Sequence, residues 1–191
     1  MTQDLSAVPW PIRTARLTLR PATPDDVDAT WAFRQDPAVW EWLTHRVEDR
    51  EEYAGVFLAE DRLASTLVIE LDGEVVGDLM IRIEDPWAQA EVVEEAKRTQ
   101  AELGWVVAPP YAGRGVGTEA VEAVLEICFA HLGLRRVTAL CFADNTASWR
   151  LMERVGMRRE AYNVRDSLHR DRGWLDGMGY ALLAEEWRAR R

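Results

Sequence analysis

The chain has 191 residues, 48% of them hydrophobic and 29% charged, with a formal net charge of −10 and two cysteines. That length suits one soluble domain, and no apolar run approaches the roughly 18 residues a membrane span needs. The acidic balance lacks the basic face that nucleic-acid phosphates require, and it favours either a basic or amine-bearing partner or solubility alone. No signal peptide is readable at the start, and Cys128 and Cys141 sit in apolar stretches as reduced thiols do. A cytoplasmic protein is expected.

Residues 12–20 read as a first strand, ended by Pro21. Thr23-Pro24-Asp25-Asp26 then signals a helix start: a Thr cap, a proline in the first position and acids in the first turn. A short Trp40-Glu41-Trp42-Leu43 segment follows, then a second helix over residues 48–63. Residues 65–71 and 75–83 are two strands joined at Asp72-Gly73, a strong hairpin signal. Residues 86–99 are an acidic excursion of weak helical character. A strand over 102–107 precedes a helix over 115–132, whose Val121, Val124, Leu125, Cys128 and Leu132 repeat at helical spacing before Gly133 stops it. A buried strand at 137–142, a helix at 145–155 stopped by Gly156, and strands at 158–165 and 174–183 complete the chain. The order β-α-α-β-β-β-α-β-α-β-β predicts an α+β fold, a mixed and largely antiparallel sheet flanked by helices, in a single domain over 1–191.

The chemistry concentrates where strand 102–107 runs into Tyr111-Ala112-Gly113-Arg114-Gly115-Val116-Gly117-Thr118-Glu119-Ala120. A glycine-rich turn opening a helix aims backbone N–H groups, at the positive end of the helix dipole, at whatever lies in front. That is a phosphate site. Gly115-x-Gly117-x-x-Ala120 also fits the dinucleotide fingerprint, but residues 108–114 intervene after the strand and too little chain follows for a doubly wound sheet. A P-loop is excluded, because no Gly-Lys-Ser/Thr follows the glycines. A glycine-rich surface turn without a ligand is the remaining alternative.

The same stretch resembles the acyl-CoA pyrophosphate loop of the GNAT N-acetyltransferase superfamily, with its pattern Gln/Arg-x-x-Gly-x-Gly/Ala. Thr14-x-Arg16-Leu17-x-Leu19-Arg20-Pro21, Asn145-Thr146-Ala147-Ser148 with Gly156-Met157, and Trp174-x-Asp176, Tyr180-x-Leu182-Leu183 and Glu186-Trp187 extend the likeness to the RimJ/RimL-like branch. The resemblance implies the GNAT fold and acyl transfer from acetyl-CoA, or another acyl-CoA such as succinyl-CoA, to a primary amine on a small molecule or a basic protein N-terminus. It allows a monomer or a homodimer, and it also allows a catalytically silent acyl-CoA sensor.

The resemblance assigns cofactor contacts to Val106, Val107, Ala112, Gly113, Arg114, Gly115, Val116, Gly117, Thr118, Asn145 and Ser148. Ala112 stands at the family's Gln/Arg position and removes one side-chain contact, for which Arg114 is a substitute. A main-chain N–H at Val106 or Val107 is implied to polarise the thioester carbonyl. Glu102 is the favoured base for the incoming ammonium, with Glu160 and then Asp78 as further candidates. Met152 occupies the place of a tyrosine acid common in the family, and resemblance to the RimJ/RimL-like branch implies Ser148 as the residue that stabilises the thiolate. Trp31, Asp78 and Trp87 are implied to line the acceptor cleft. His45, His131 and His169 form no spaced cluster with cysteines or acids, so no metal site is expected.

Overall fold

The computed structural model describes residues 5–190. The first expected strand is two: β1 (Ile12–Arg13) and β2 (Leu17–Pro21), antiparallel with Ile12 opposite Leu19. Thr14 makes the break. Its N–H donates to the Leu17 carbonyl at 2.9 Å, and its hydroxyl accepts the Leu17 N–H at 2.9 Å. Thr23 and Pro24 open a single 3-10 turn that leads into α1 (Val27–Arg34), and α2 (Pro37–Trp40) is one turn capped by the Asp36 carboxylate. The helix expected over 48–63 is interrupted at Leu58 and Ala59, giving α3 (Arg50–Phe57) and α4 (Glu60–Ser65).

β3 (Thr66–Leu71) and β4 (Glu74–Glu84) form the expected hairpin. Asp72 and Gly73 both take positive φ, 53° and 84°, as the primed turn favoured by Asp-Gly requires. The acidic excursion holds one 3-10 turn and α5 (Val93–Ala96). β5 (Gln100–Val107) enters the glycine turn, and α6 (Val116–Glu126) leaves it. Beyond α6 the helix widens to a π-helical turn over Ile127–His131, closed by a Leu132 N–H to Ile127 carbonyl bond of 2.9 Å. Then come β6 (Arg136–Phe142), α7 (Thr146–Arg154), β7 (Arg158–His169), β8 (Gly173–Leu183) and α8 (Ala184–Arg188).

These elements group into two compact, interleaved units. One runs through Arg82 and adds Gly104–Val124. Its strand order is β1-β2-β3-β4-β5, antiparallel from β1 to β4. Leu17, Leu19, Leu67, Ile69, Leu79 and Ile81 are fully buried in it, and Ala22, Val27, Tyr53, Phe57 and Val68 form a cluster with α1 and α3. The other unit takes Ile83–Leu103 and the described residues from Leu125 onward, with order β5-β6-β8-β7. There β5 runs parallel to β6, with Glu102 opposite Thr138, while β6, β8 and β7 are antiparallel neighbours. The result is the mixed, mostly antiparallel sheet with flanking helices that the element order predicts. Among the described residues, no helix is long and apolar enough to cross a membrane.

Asp26 ties β2 to the start of α1. Its carboxylate accepts both terminal nitrogens of Arg20 at 2.8 Å and the Thr23 N–H at 2.7 Å. Burial alone would raise its pKa, but the bonds from Arg20 and Thr23 outweigh burial and hold it below the usual aspartate value. Asp26→Asn is therefore expected to cost about 2 kcal/mol at neutral pH. Because the folded pKa is depressed, the gap to wild type should be full at pH 7, shrink below the ordinary value of 3.8 and vanish below the folded pKa. Urea unfolding of both proteins between pH 7 and pH 2.5 reads this directly.

Candidate active site

β5 ends against β4, where the Ala108 N–H donates to the Val76 carbonyl at 2.8 Å. A 3-10 turn at Pro109–Tyr111 then lifts the chain into the glycine turn. Gly113 and Gly115 take φ of 71° and 81°, a region where a Cβ is strained. The first ladder bond of α6 runs from the Glu119 N–H to the Gly115 carbonyl at 3.0 Å. N–H groups ahead of it precede the helical ladder, and left-handed residues alternating with right-handed ones make an anion-binding concavity. A Cβ built on Gly113 meets nothing within 4 Å, whereas one built on Gly115 lies 3.3 Å from Arg16 Nη2. The turn fits a phosphate group. Ala112 adds no donor, and Arg114 stands exposed beside the Tyr111 ring, 5.6 Å from its centroid.

The turn is fastened from outside the motif. Both oxygens of Glu119 are engaged: Oε1 accepts the Thr14 hydroxyl at 2.6 Å and the Arg16 N–H at 2.9 Å, and Oε2 accepts Arg16 Nε at 2.7 Å. Arg16 then donates through Nη1 to the Arg114 carbonyl at 3.1 Å. Burial would raise the Glu119 pKa, but these donors outweigh it and hold the carboxyl below its usual range. The sequence presents Thr14 and Arg16 only as part of an opening strand. A glutamate in the first turn of the glycine helix is the one local signal that could have pointed to them.

In the same unit, a Cβ on Gly77 would collide with the Val106 carbonyl and lie 3.3 Å from the Val107 Cα. Only glycine allows β4 this approach to the end of β5. Phe33 of α1 packs with Val106 and Ala108 on the same strand end. Asp78, the neighbour of Gly77, is 3% exposed and gives both oxygens to Arg34 of α1, at 2.6 to 3.1 Å. An acceptor can engage this carboxylate only by displacing Arg34. Trp31 is half-buried and stacks on Tyr53 at 5.4 Å.

The other unit carries the remaining expected residues. Glu102 is half-buried on β5. Asn145 caps α7, its Oδ1 accepting the backbone N–H of Ser148 at 3.2 Å. Burial pushes the Cys141 thiol up to about 11. Burial pushes Cys128 up to about 12, so both cysteines are protonated near neutrality. Met152 is wholly buried in the core. Glu160 sits in a bulge of β7 and is ion-paired with Arg136 and Arg158. The hydrogen bond from Arg136 holds its carboxyl below the usual glutamate range, whereas a base working near neutrality needs the opposite shift. Trp87 is 90% exposed. Among the described residues, no group of three or more His, Cys, Asp or Glu could hold a metal ion.

A family model described as Acetyltransferase (GNAT) domain matches residues 16–158. The chain is 31% identical over 178 residues to YnaD of Bacillus subtilis (strain 168), an uncharacterized N-acetyltransferase, covering 92% of this chain and 98% of that protein. Among solved structures, a GNAT-family acetyltransferase from Bacillus anthracis superposes with a TM-score of 0.77 at 30% identity, over 92% of this chain and 99% of its own. RimJ of Mycobacterium smegmatis, in complex with CoA-disulfide, gives 0.71 at 29% identity, over 89% and 83%.

Removing the external tie should loosen the glycine turn without unfolding α6. In Glu119→Ala, amide exchange over residues 112–118 is expected to quicken about ten-fold or more, on the scale of lost charge-assisted hydrogen bonds. Exchange at the wild-type rate would show that the turn holds itself.

Proposed function

The chain belongs to the GNAT acetyltransferase family and is an N-acetyltransferase, and we propose that it moves an acetyl group from acetyl-CoA to a primary amine within a ternary complex. The observation that carries this reading is the turn at 113–118: two left-handed glycines feeding a helix N-terminus. The family uses acyl-CoA, and its pyrophosphate is the group this backbone suits. In this reading the N–H groups of residues 113–118 hold the phosphates, and a main-chain N–H at Val106 or Val107 polarises the thioester carbonyl. Glu102 takes a proton from the acceptor ammonium through water. The freed amine attacks the carbonyl carbon, the C–S bond breaks, and Ser148 hydrogen-bonds the departing thiolate, which takes up the surplus proton that the nitrogen sheds as it becomes the amide.

Direct transfer is favoured over an acylated cysteine because burial keeps both thiols protonated. Glu102 is kept as base on the family resemblance and its place on β5; Glu160 and Asp78 are each engaged by guanidinium groups. The acceptor is a small amine or a protein N-terminus, and two unpaired cysteines agree with a reducing, cytoplasmic setting.

Thiol release from acetyl-CoA and succinyl-CoA across a panel of amines and peptides tests the reaction. The expected result is acceptor-dependent release that is faster with the acetyl donor. Tight CoA binding with no release for any acceptor would instead favour a silent sensor. Glu102→Gln is expected to lower kcat at neutral pH, with the deficit shrinking as pH rises and the acceptor loses its proton unaided; an unchanged rate would remove Glu102 as base. Ser148→Ala is expected to lose about ten-fold in kcat, the scale of one charge-assisted hydrogen bond. Wild-type turnover would leave Ser148 a helix residue only.

A further inference from the structure

The contacts at the end of β5 close a triangle. On one side, the Val76 carbonyl of β4 accepts the Ala108 N–H at 2.8 Å, and Gly77 abuts the Val106 carbonyl so closely that a Cβ there would lie 3.3 Å from the Val107 Cα. On the second side, Phe33 of α1 packs on Val106 and Ala108. The third side joins α1 to β4. Arg34, which follows Phe33, donates three bonds of 2.6 to 3.1 Å to the carboxylate of Asp78, which follows Gly77. Each member of that pair is therefore one residue away from a contact on the chain at 106–108.

The pair is well buried, with side chains 11% exposed for Arg34 and 3% for Asp78. The Arg34 guanidinium also lies over the Tyr53 ring, 5.7 Å from its centroid. Tyr53 is fixed in turn, stacked on Trp31 at 5.4 Å and donating its hydroxyl to Thr30 at 2.9 Å. Extra stability is not what such a pair supplies. Desolvating two charges offsets much of their attraction, and apolar side chains of similar volume would hold α1 to β4 as firmly. A guanidinium fork adds what apolar packing lacks, a fixed direction and register between the two elements.

We propose that Arg34 and Asp78 are positioning residues for the acyl donor: through Phe33 and Gly77 they set the main chain at Val106 and Val107 in the geometry that polarises the thioester carbonyl. This rests on the N-acetyltransferase reading and deepens it. A main-chain donor that drifts from its place loses a bond that is strongest in the transition state, so the loss falls on kcat more than on binding of the donor.

The test compares wild type with Arg34→Lys and with a volume-matched double variant, Arg34→Met combined with Asp78→Leu. Two readouts are taken: thiol release with an amine that wild type uses, and the infrared carbonyl stretch of isotope-labelled acetyl-CoA bound without acceptor. In wild type the stretch should fall on binding relative to water. The double variant should melt within about 5 °C of wild type, because it strands no charge. Its kcat should drop about ten-fold or more, its KM for acetyl-CoA should stay within about two-fold, and most of the carbonyl shift should vanish. Arg34→Lys keeps a charge opposite Asp78 without the fork, and should be intermediate in both kcat and shift. A folded double variant with wild-type kcat and wild-type carbonyl shift would overturn the proposal. So would a loss of activity that lies in KM and leaves the shift untouched, the mark of a structural role alone. Should the double variant not fold, Arg34→Lys decides, and wild-type kcat and shift in that variant overturn the proposal. Wild type that releases no thiol with any amine, and leaves the bound carbonyl where it stands in water, would instead remove the transfer reading and this proposal with it.

Discussion

Glu119 is the residue on which the glycine turn depends. Its carboxylate stands in the first turn of α6, where the helix dipole favours negative charge, and both its oxygens are taken by Thr14 and Arg16. Arg16 is nearly half exposed, so the Coulomb part of this pair is screened and modest. Direction counts for more than strength here. Several bonds from one short β-turn fix the carboxylate, and the Arg16 fork carries that constraint to the Arg114 carbonyl between the two left-handed glycines. The backbone donors are thereby held in place before any anion arrives, which lowers the ordering cost of binding.

A second constraint is how the carboxylates are distributed. The chain is strongly acidic as a whole, yet many of the acids near its chemistry are already committed. Asp26 is held by Arg20, Asp78 by Arg34, and Glu160 by Arg136 and Arg158. The pairs with Arg20 and Arg136 help hold the Asp26 and Glu160 carboxyls below their usual range. The surface potential of the chain and the local charge at a site can therefore differ. Net charge argues for attracting amines from a distance, while the Arg34–Asp78 pair neutralises the buried acid beside Gly77.

Local chemistry explains what the sequence disclosed. Asp72-Gly73, the Thr23-Pro24 helix start and the Gly133 and Gly156 stops each act within a few residues, and each is where the pattern places it. The glycine turn belongs to the same class, because its left-handed residues are glycines. Features that depend on distant partners were not legible. Arg16 and Glu119 lie 103 positions apart, and Arg34 and Asp78 lie 44 apart. Neither member of either pair carries a local sign of the other. The interruption at Leu58 and Ala59 was missed because the apolar spacing continues through it. Strand β7 extends past its expected end at 165 because Asp176 accepts the Arg165 N–H at 2.9 Å and carries the pairing across a bulge.

The same distinction bears on the acid of the proposed reaction. A tyrosine in place of Met152 would set a hydroxyl at a position this chain buries completely, and a buried hydroxyl needs a partner. Methionine fills the space without that demand, so the core gains a good packing residue and the chemistry loses a donor. Ser148 sits one helical turn earlier on α7, next to its Asn145 cap. A neutral thiol is a weak acceptor, and a thiolate is a strong one. In the proposed transfer the hydroxyl would bond the leaving sulfur as charge develops on it. Because a thiolate leaves readily, that one directed bond is a sufficient substitute for a proton donor.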